Sequence, residues 1–158
     1  MRRTKLDRMD CSIAKALDIV GDPWTMLILR DALLGVTRFD AFSTRLGIPR
    51  ATLSARLDHL CERGVLDQRR YRERPERMEY VLTPMGRALR PVVVTLMQWG
   101  DQWVRVDDPP TTIIDEDGVD GRARVLVDRG RGIPLEDLRL RARGPVTAGL
   151  ERPTDAML

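Results

Sequence analysis

Between Phe39 and Thr83 the chain switches hydrophobic period and is punctuated at each change, which leaves little freedom in its local structure. Phe39–Leu46 runs into Gly47-Ile48-Pro49, where Gly supplies a turn and Pro pre-sets the backbone of the helix that follows. Over residues 50–63, Leu53, Leu57 and Leu60 recur at helical spacing and give one apolar face. Gly64 ends that helix, as a residue tolerant of left-handed backbone does. Residues 66–72 and 78–83 read as two short strands. The arginines Arg69, Arg70, Arg72, Arg74 and Arg77 lie on and between them. Helix, turn, helix, strand, basic loop and strand in this order make a winged helix-turn-helix, and the chemistry implied is DNA binding.

The flanks fit one domain over residues 11–106, preceded by a short polar arm at 1–10 and followed by an extension at 107–158. Residues 11–20 carry apolar or small side chains at helical spacing, and Gly21 stops them. Asp22 is placed to cap a second helix with Pro23 at its first position, running over 23–34 and mostly buried through Leu27, Ile28, Leu33 and Leu34. Residues 36–38 predict a very short strand completing a three-stranded sheet with the wing. Thr83-Pro84 repeats the cap-then-proline signal and predicts one long helix to residue 104, about 30 Å in length and kinked at Pro91. Leu89, Val92, Val93, Leu96, Trp99 and Trp103 form its broad apolar stripe. That is more than a small domain needs for its own core, so the face with Trp99 and Trp103 is a candidate homodimer surface; the alternative is that both tryptophans cap the monomer core. Asp107-Asp108-Pro109-Pro110 is a linker by composition. Beyond it, residues 122–127 and 138–141 suggest strands of a small appendage, with disorder expected from 144 onward. The fold class expected is α+β, mainly helical.

Charge sharpens the reading. The net charge is only +3, but residues 1–106 hold 19 Lys or Arg against 13 Asp or Glu, and residues 107–158 hold 8 against 11. The basic part coincides with the helix-turn-helix and suits a polyanionic partner. Only two of the 27 basic residues are Lys, and arginine favours forked contacts to phosphate and guanine. An aromatic content of 4% argues against stacking platforms for single strands. Two cysteines without paired spacing, a charged N-terminus and no long apolar run point to a cytoplasmic protein with no membrane span. No cofactor or metal is expected: His59 and Cys61 are two apart on a helix and diverge. With one His, no Gly-rich phosphate loop and no nucleophile beside a base, an enzyme is not expected either.

With Leu53, Leu57 and Leu60 facing inward, the outer arc of the second motif helix holds Ala51, Thr52, Ala55 and His59, flanked by Arg50, Ser54 and Arg56. Such a helix enters the major groove near its N-terminal end. Arg50 and Arg56 are candidates for guanine edges, Thr52 and Ser54 for phosphate, and the alanines for thymine methyls. Arg72, Arg74 and Arg77 suit the backbone or a narrow minor groove, and Arg38 a phosphate clamp before the first motif helix. The competing readings are a solvated Arg-rich face and a winged module that binds protein; modules of the latter kind usually lack a basic wing. A small-molecule sensor with a pocket between the Trp-bearing helix and the core is compatible with DNA binding.

These residues resemble the HxlR-type winged helix regulators of bacteria over roughly residues 11–104. The marks are Cys11, Gly21-Asp22-Pro23-Trp24, Arg38-Phe39, Leu46-Gly47-Ile48, Leu53-x-x-Arg56-Leu57-x-x-Leu60, Glu62-Arg63-Gly64, Glu79-Tyr80-x-Leu82-Thr83, Gly86 and Trp99. The resemblance implies a dimeric transcriptional regulator, a repressor by analogy. Its first and last helices would pair, which brings Ile13 and Leu17 together with Leu96, Trp99 and Trp103. It also implies a candidate oxidant or electrophile sensor at Cys11, the bland alternative being a small buried hydrophobe; Cys61 reads as structural. Longer relatives often carry a cysteine-bearing tail like a small zinc ribbon. No cysteine follows Cys61 here, so no zinc is expected in the tail.

Overall fold

The computed structural model of the chain describes residues 9–74, 77–104 and 106–107. Along them run α1 (Ser12–Val20), α2 (Pro23–Leu33), α3 (Phe39–Leu46), α4 (Arg50–Glu62), β1 (Leu66–Arg72), β2 (Arg77–Leu82), α5 (Pro84–Arg87) and α6 (Arg90–Trp103). This is a mainly helical winged helix-turn-helix. The expected structure of residues 1–8, of the strands at 122–127 and 138–141 and of the tail from 144 lies outside the described residues.

Starts and stops follow local chemistry. Asp22 Oδ1 accepts the N–H groups of Trp24 and Thr25 at 3.1 and 3.2 Å, with Pro23 in the first turn of α2. Gly47 and Gly64 take left-handed backbone, φ 60° and 72°, just beyond α3 and α4. Thr83 Oγ1 accepts the Gly86 N–H at 3.1 Å and donates to the Gly64 carbonyl at 2.7 Å, which sews the start of α5 to the end of α4.

The core gathers around the apolar face of α4. Leu53, Leu57 and Leu60 are fully buried against Ile28 and Leu29 of α2, Phe42 of α3 and Val65, with Tyr80 of β2 and Val93 of α6 closing the cluster. Removing such side chains from water is the main stabilising contribution, about 1.5–3 kcal/mol each.

The structure corrects several expectations, and Leu27 and Leu34, expected on the buried face of the second helix, are exposed. Among the described residues the sheet has two strands, not three. Arg38 makes a single bridge to Glu79, and the Tyr80 N–H donates to the Thr37 carbonyl at 2.7 Å; the chain then turns directly into α3, with the extended Arg38 as its N-cap residue, so pairing ends at that one bridge. The long final helix is broken rather than kinked. Pro91 has no N–H to give to the Arg87 carbonyl, so α5 closes at Arg87 and Pro91 falls in the first turn of α6, where a missing donor costs nothing. At 14 residues, α6 spans about 21 Å.

The apolar stripe of α6 also divides. Leu89, Val93 and Met97 pack on the core, whereas Val92, Leu96, Trp99 and Trp103 are exposed, the tryptophans at 57% and 69%. In α1, Ala14 and Val20 are buried while Ile13 and Leu17 are exposed. The tryptophans therefore stand off the monomer core.

Candidate nucleic-acid interface

The inward leucines fix what the N-terminal half of α4 presents. Ala51 and Ala55 are exposed, Thr52 and Ser54 half-buried, and Ser54 Oγ donates to Asp58 Oδ2 at 3.4 Å. Arg50 opens the helix. Its guanidinium carbon lies 4.7 Å from the centroid of the Phe39 ring, and its Nη1 donates to Asp40 Oδ1 at 2.9 Å.

The wing stands off the core, since Leu66 is the one buried residue of β1. Its strands pair antiparallel from Leu66–Leu82 to Arg70–Met78, after which Arg72 faces Arg77 and Tyr71 is the extra residue of a bulge. A bulge re-aims side chains, and Arg38 lies over the Tyr71 ring at 4.8 Å. Arg77 Nη1 is 3.8 Å from Asp40 Oδ2. Arg38, Phe39, Asp40, Arg50, Tyr71 and Arg77 thereby line one cleft of about 360 Å³ between the start of α3, the start of α4 and the wing. Arg72 and Arg74 are exposed further along the wing, without a side-chain partner among the described residues. Arg69 is paired with Asp67 at 2.9 Å.

Two expected groove contacts point elsewhere. Arg56 Nη2 meets Asp22 Oδ2 at 2.9 Å with its side chain 28% exposed, and His59 Nε2 lies 3.2 Å from the Ile19 carbonyl. Arg56 follows Leu53 by three residues, and His59 follows Arg56 by three, so both lie on the ridge that faces α1 and α2. Arg63 extends the same seam, donating to Asp18 Oδ2 at 2.6 Å. In this structure these contacts tie α4 to α1 and to the start of α2.

Sequence reasoning missed two carboxylates. Asp40 is one. The other is Asp31, fully buried, whose Oδ1 accepts from Arg30 Nε and Nη2 at 3.0 and 2.8 Å and whose Oδ2 accepts from Arg45 Nε at 3.1 Å. An acid inside the apolar run of α2 was the available signal, because a buried carboxylate needs cations. Cys11 is the exposed N-cap residue of α1, and neighbouring Lys15 pairs with Asp10 at 3.7 Å. Cys61 is half-buried. Burial, then the charges of Asp58, Asp67 and Glu62, push its thiol pKa up. Among the described residues no group of three His, Cys, Asp or Glu is placed to hold a metal, and no helix is long and apolar enough to cross a membrane.

The sequence and the fold are both similar to those of transcriptional regulators. The model of the HxlR-like helix-turn-helix family matches residues 19–108. The uncharacterised HTH-type transcriptional regulator Rv3095 of Mycobacterium tuberculosis (strain ATCC 25618 / H37Rv) is 51% identical over 100 residues, 63% of this chain and 63% of that protein. The match thus spans less than two thirds of the relative's length. Among solved structures, the crystal structure of PA1607, described as a candidate transcription factor, superposes with a TM-score of 0.75 at 38% identity, covering 89% of this chain and all (100%) of the other. The redox regulator HypR in its reduced form gives a TM-score of 0.55 at 28% identity, over 58% of this chain and 92% of that one.

Proposed function

The chain belongs to the HxlR-like helix-turn-helix family, and on that premise we propose that it is a cytoplasmic, homodimeric transcriptional regulator that binds specific double-stranded DNA. The observation that carries this reading is the convergence of Arg38, Arg50 and Arg77 on one cleft beside the exposed N-terminal half of α4. In the proposed complex that half enters the major groove. Arg50 meets a guanine edge, Ala51 and Ala55 meet thymine methyls, and Thr52 and Ser54 meet phosphates. Arg38 holds the backbone, and Arg72, Arg74 and Arg77 follow the backbone or adjacent minor groove. Ile13 and Leu17 of α1 with Leu96, Trp99 and Trp103 of α6 form the dimer contact, so the operator is pseudo-palindromic. The sign we propose is repression, since a dimer filling successive major grooves excludes other proteins from the same DNA.

The test is binding to the DNA upstream of its own gene across a salt series. Specific binding that weakens steeply with salt is expected. If no duplex is preferred at any salt, a protein-binding winged module replaces this reading. A second reading adds an oxidant or electrophile switch at Cys11, favoured by the exposed thiol at the start of α1 and by the likeness to HypR. It predicts that mild oxidant weakens binding by the wild type and not by Cys11→Ser; binding indifferent to oxidant in both proteins would direct the search to a small-molecule effector.

A further inference from the structure

We propose that Asp40 sets the DNA specificity of this chain by holding the Arg50 fork for a base edge and withholding it from phosphate. This rests on the DNA-binding reading above. Asp40 lies in the first turn of α3, where a carboxylate suits the positive end of the helix dipole. That accounts for an acid at this position but not for its two cationic neighbours. Oδ1 takes Arg50 Nη1 at 2.9 Å and Oδ2 lies 3.8 Å from Arg77 Nη1, so one side chain ties the first residue of α4 to the first residue of β2. Phe39, the residue before Asp40, covers one face of the same guanidinium at 4.7 Å.

Held along one edge and stacked on one face, the fork is oriented. Its Nε and Nη2 donors stay uncommitted among the described residues, and two parallel donors are what guanine O6 and N7 require. Asp40 and Arg50 are both largely exposed, 64% and 69%, so their pair is solvent-screened and a base edge can share the guanidinium with it. The second effect is electrostatic. Three arginines converging on a cleft would draw in any phosphate, and a carboxylate among them subtracts from that general attraction. Specificity is a difference of two affinities, and Asp40 acts on both: it orients the base contact and weakens the indiscriminate one.

The full-length wild-type protein and D40N are compared on a duplex enriched by the wild type from a randomised pool and on a scrambled duplex of the same composition, across a salt series. D40N is expected to bind the scrambled duplex about threefold or more tighter, with a salt slope steeper by about one phosphate contact. Its preference for the selected over the scrambled duplex is expected to fall about tenfold. In a fresh selection, D40N loses base preference at one position per half-site, the same position that Arg50→Ala loses. A fold defect alone would not tighten binding to the scrambled duplex. If D40N keeps the wild-type preference, loses it at a position other than that of Arg50→Ala, or weakens on both duplexes alike, the assignment of Asp40 is overturned while DNA binding stands. If the wild type enriches no sequence, both fall.

Discussion

Asp22 serves two elements with two oxygens. Oδ1 caps α2 through Trp24 and Thr25, and Oδ2 holds Arg56 of α4 at 2.9 Å. Asp22→Ala removes the cap and leaves a mostly buried guanidinium without its carboxylate. It is expected to cost about 2–3 kcal/mol in urea unfolding, and Asp22→Asn, which retains a capping oxygen, about half as much. The two cysteines separate at the same scale. Cys11 is exposed, whereas Cys61 is half-buried and its thiol pKa is raised by burial and then by Asp58, Asp67 and Glu62. Iodoacetamide at mildly alkaline pH should label Cys11 first, with Cys61 lagging in a peptide mass map. The sign of the linked stability follows. The folded state holds the Cys61 proton more tightly than the unfolded chain, so this contribution is intact below the ordinary thiol range and is lost as pH rises through it. Cys61→Ala should therefore flatten the fall in stability above about pH 8.5.

At the level of elements, α4 and the wing divide the work. The buried face of α4 is a stability device, and Leu57→Ala is expected to cost about 3–4 kcal/mol, visible as a lower denaturation midpoint. In the proposed complex the wing arginines are the binding device. Arg72→Ala and Arg74→Ala should each leave stability nearly unchanged, weaken binding to all duplexes alike and lower the salt slope by about one. That α4 buries Leu53, Leu57 and Leu60 was legible from spacing, and the caps at Asp22 and Thr83 from residue type, because both depend on chemistry within a few positions. The roles of Arg56 and His59 were not. Whether a flanking residue of α4 faces DNA or faces Asp22 and Ile19 depends on where α1 and α2 pack, and no local pattern encodes that. The same holds for the bulge that turns Tyr71 under Arg38, and for Asp40, whose significance appears only when α3, α4 and β2 meet. Pro91 was read as a kink within one helix. The break between α5 and α6 arises because the chain can start a new helix there and put Pro91 where its missing donor is harmless.

At the level of the whole molecule, the proposed dimer and the proposed DNA contact are mechanically joined. α1 presents Ile13 and Leu17 outward, and from its far end Asp18 binds Arg63 at 2.6 Å while the Ile19 carbonyl meets His59 at 3.2 Å. A shift of α1 in the dimer would therefore pull on the C-terminal half of α4, and the distance between two copies of α4 is what matches half-site spacing. Exposed Leu96, Trp99 and Trp103 of α6 make up more apolar surface than a single scattered residue. Leu96→Glu combined with Trp99→Glu places charge on that surface without touching the core cluster, so each protomer should remain folded. Wild-type protein is expected to sediment as a dimer with a melting temperature that rises with concentration, and the double variant as a monomer whose melting temperature does not depend on concentration. Because two half-sites bound by linked protomers gain from effective concentration, the variant should lose about a hundredfold or more in affinity for the full operator. Its affinity for an isolated half-site should be nearly unchanged. Equal loss on both DNAs would mean that the apolar face of α6 supports the DNA-reading surface itself and not its duplication.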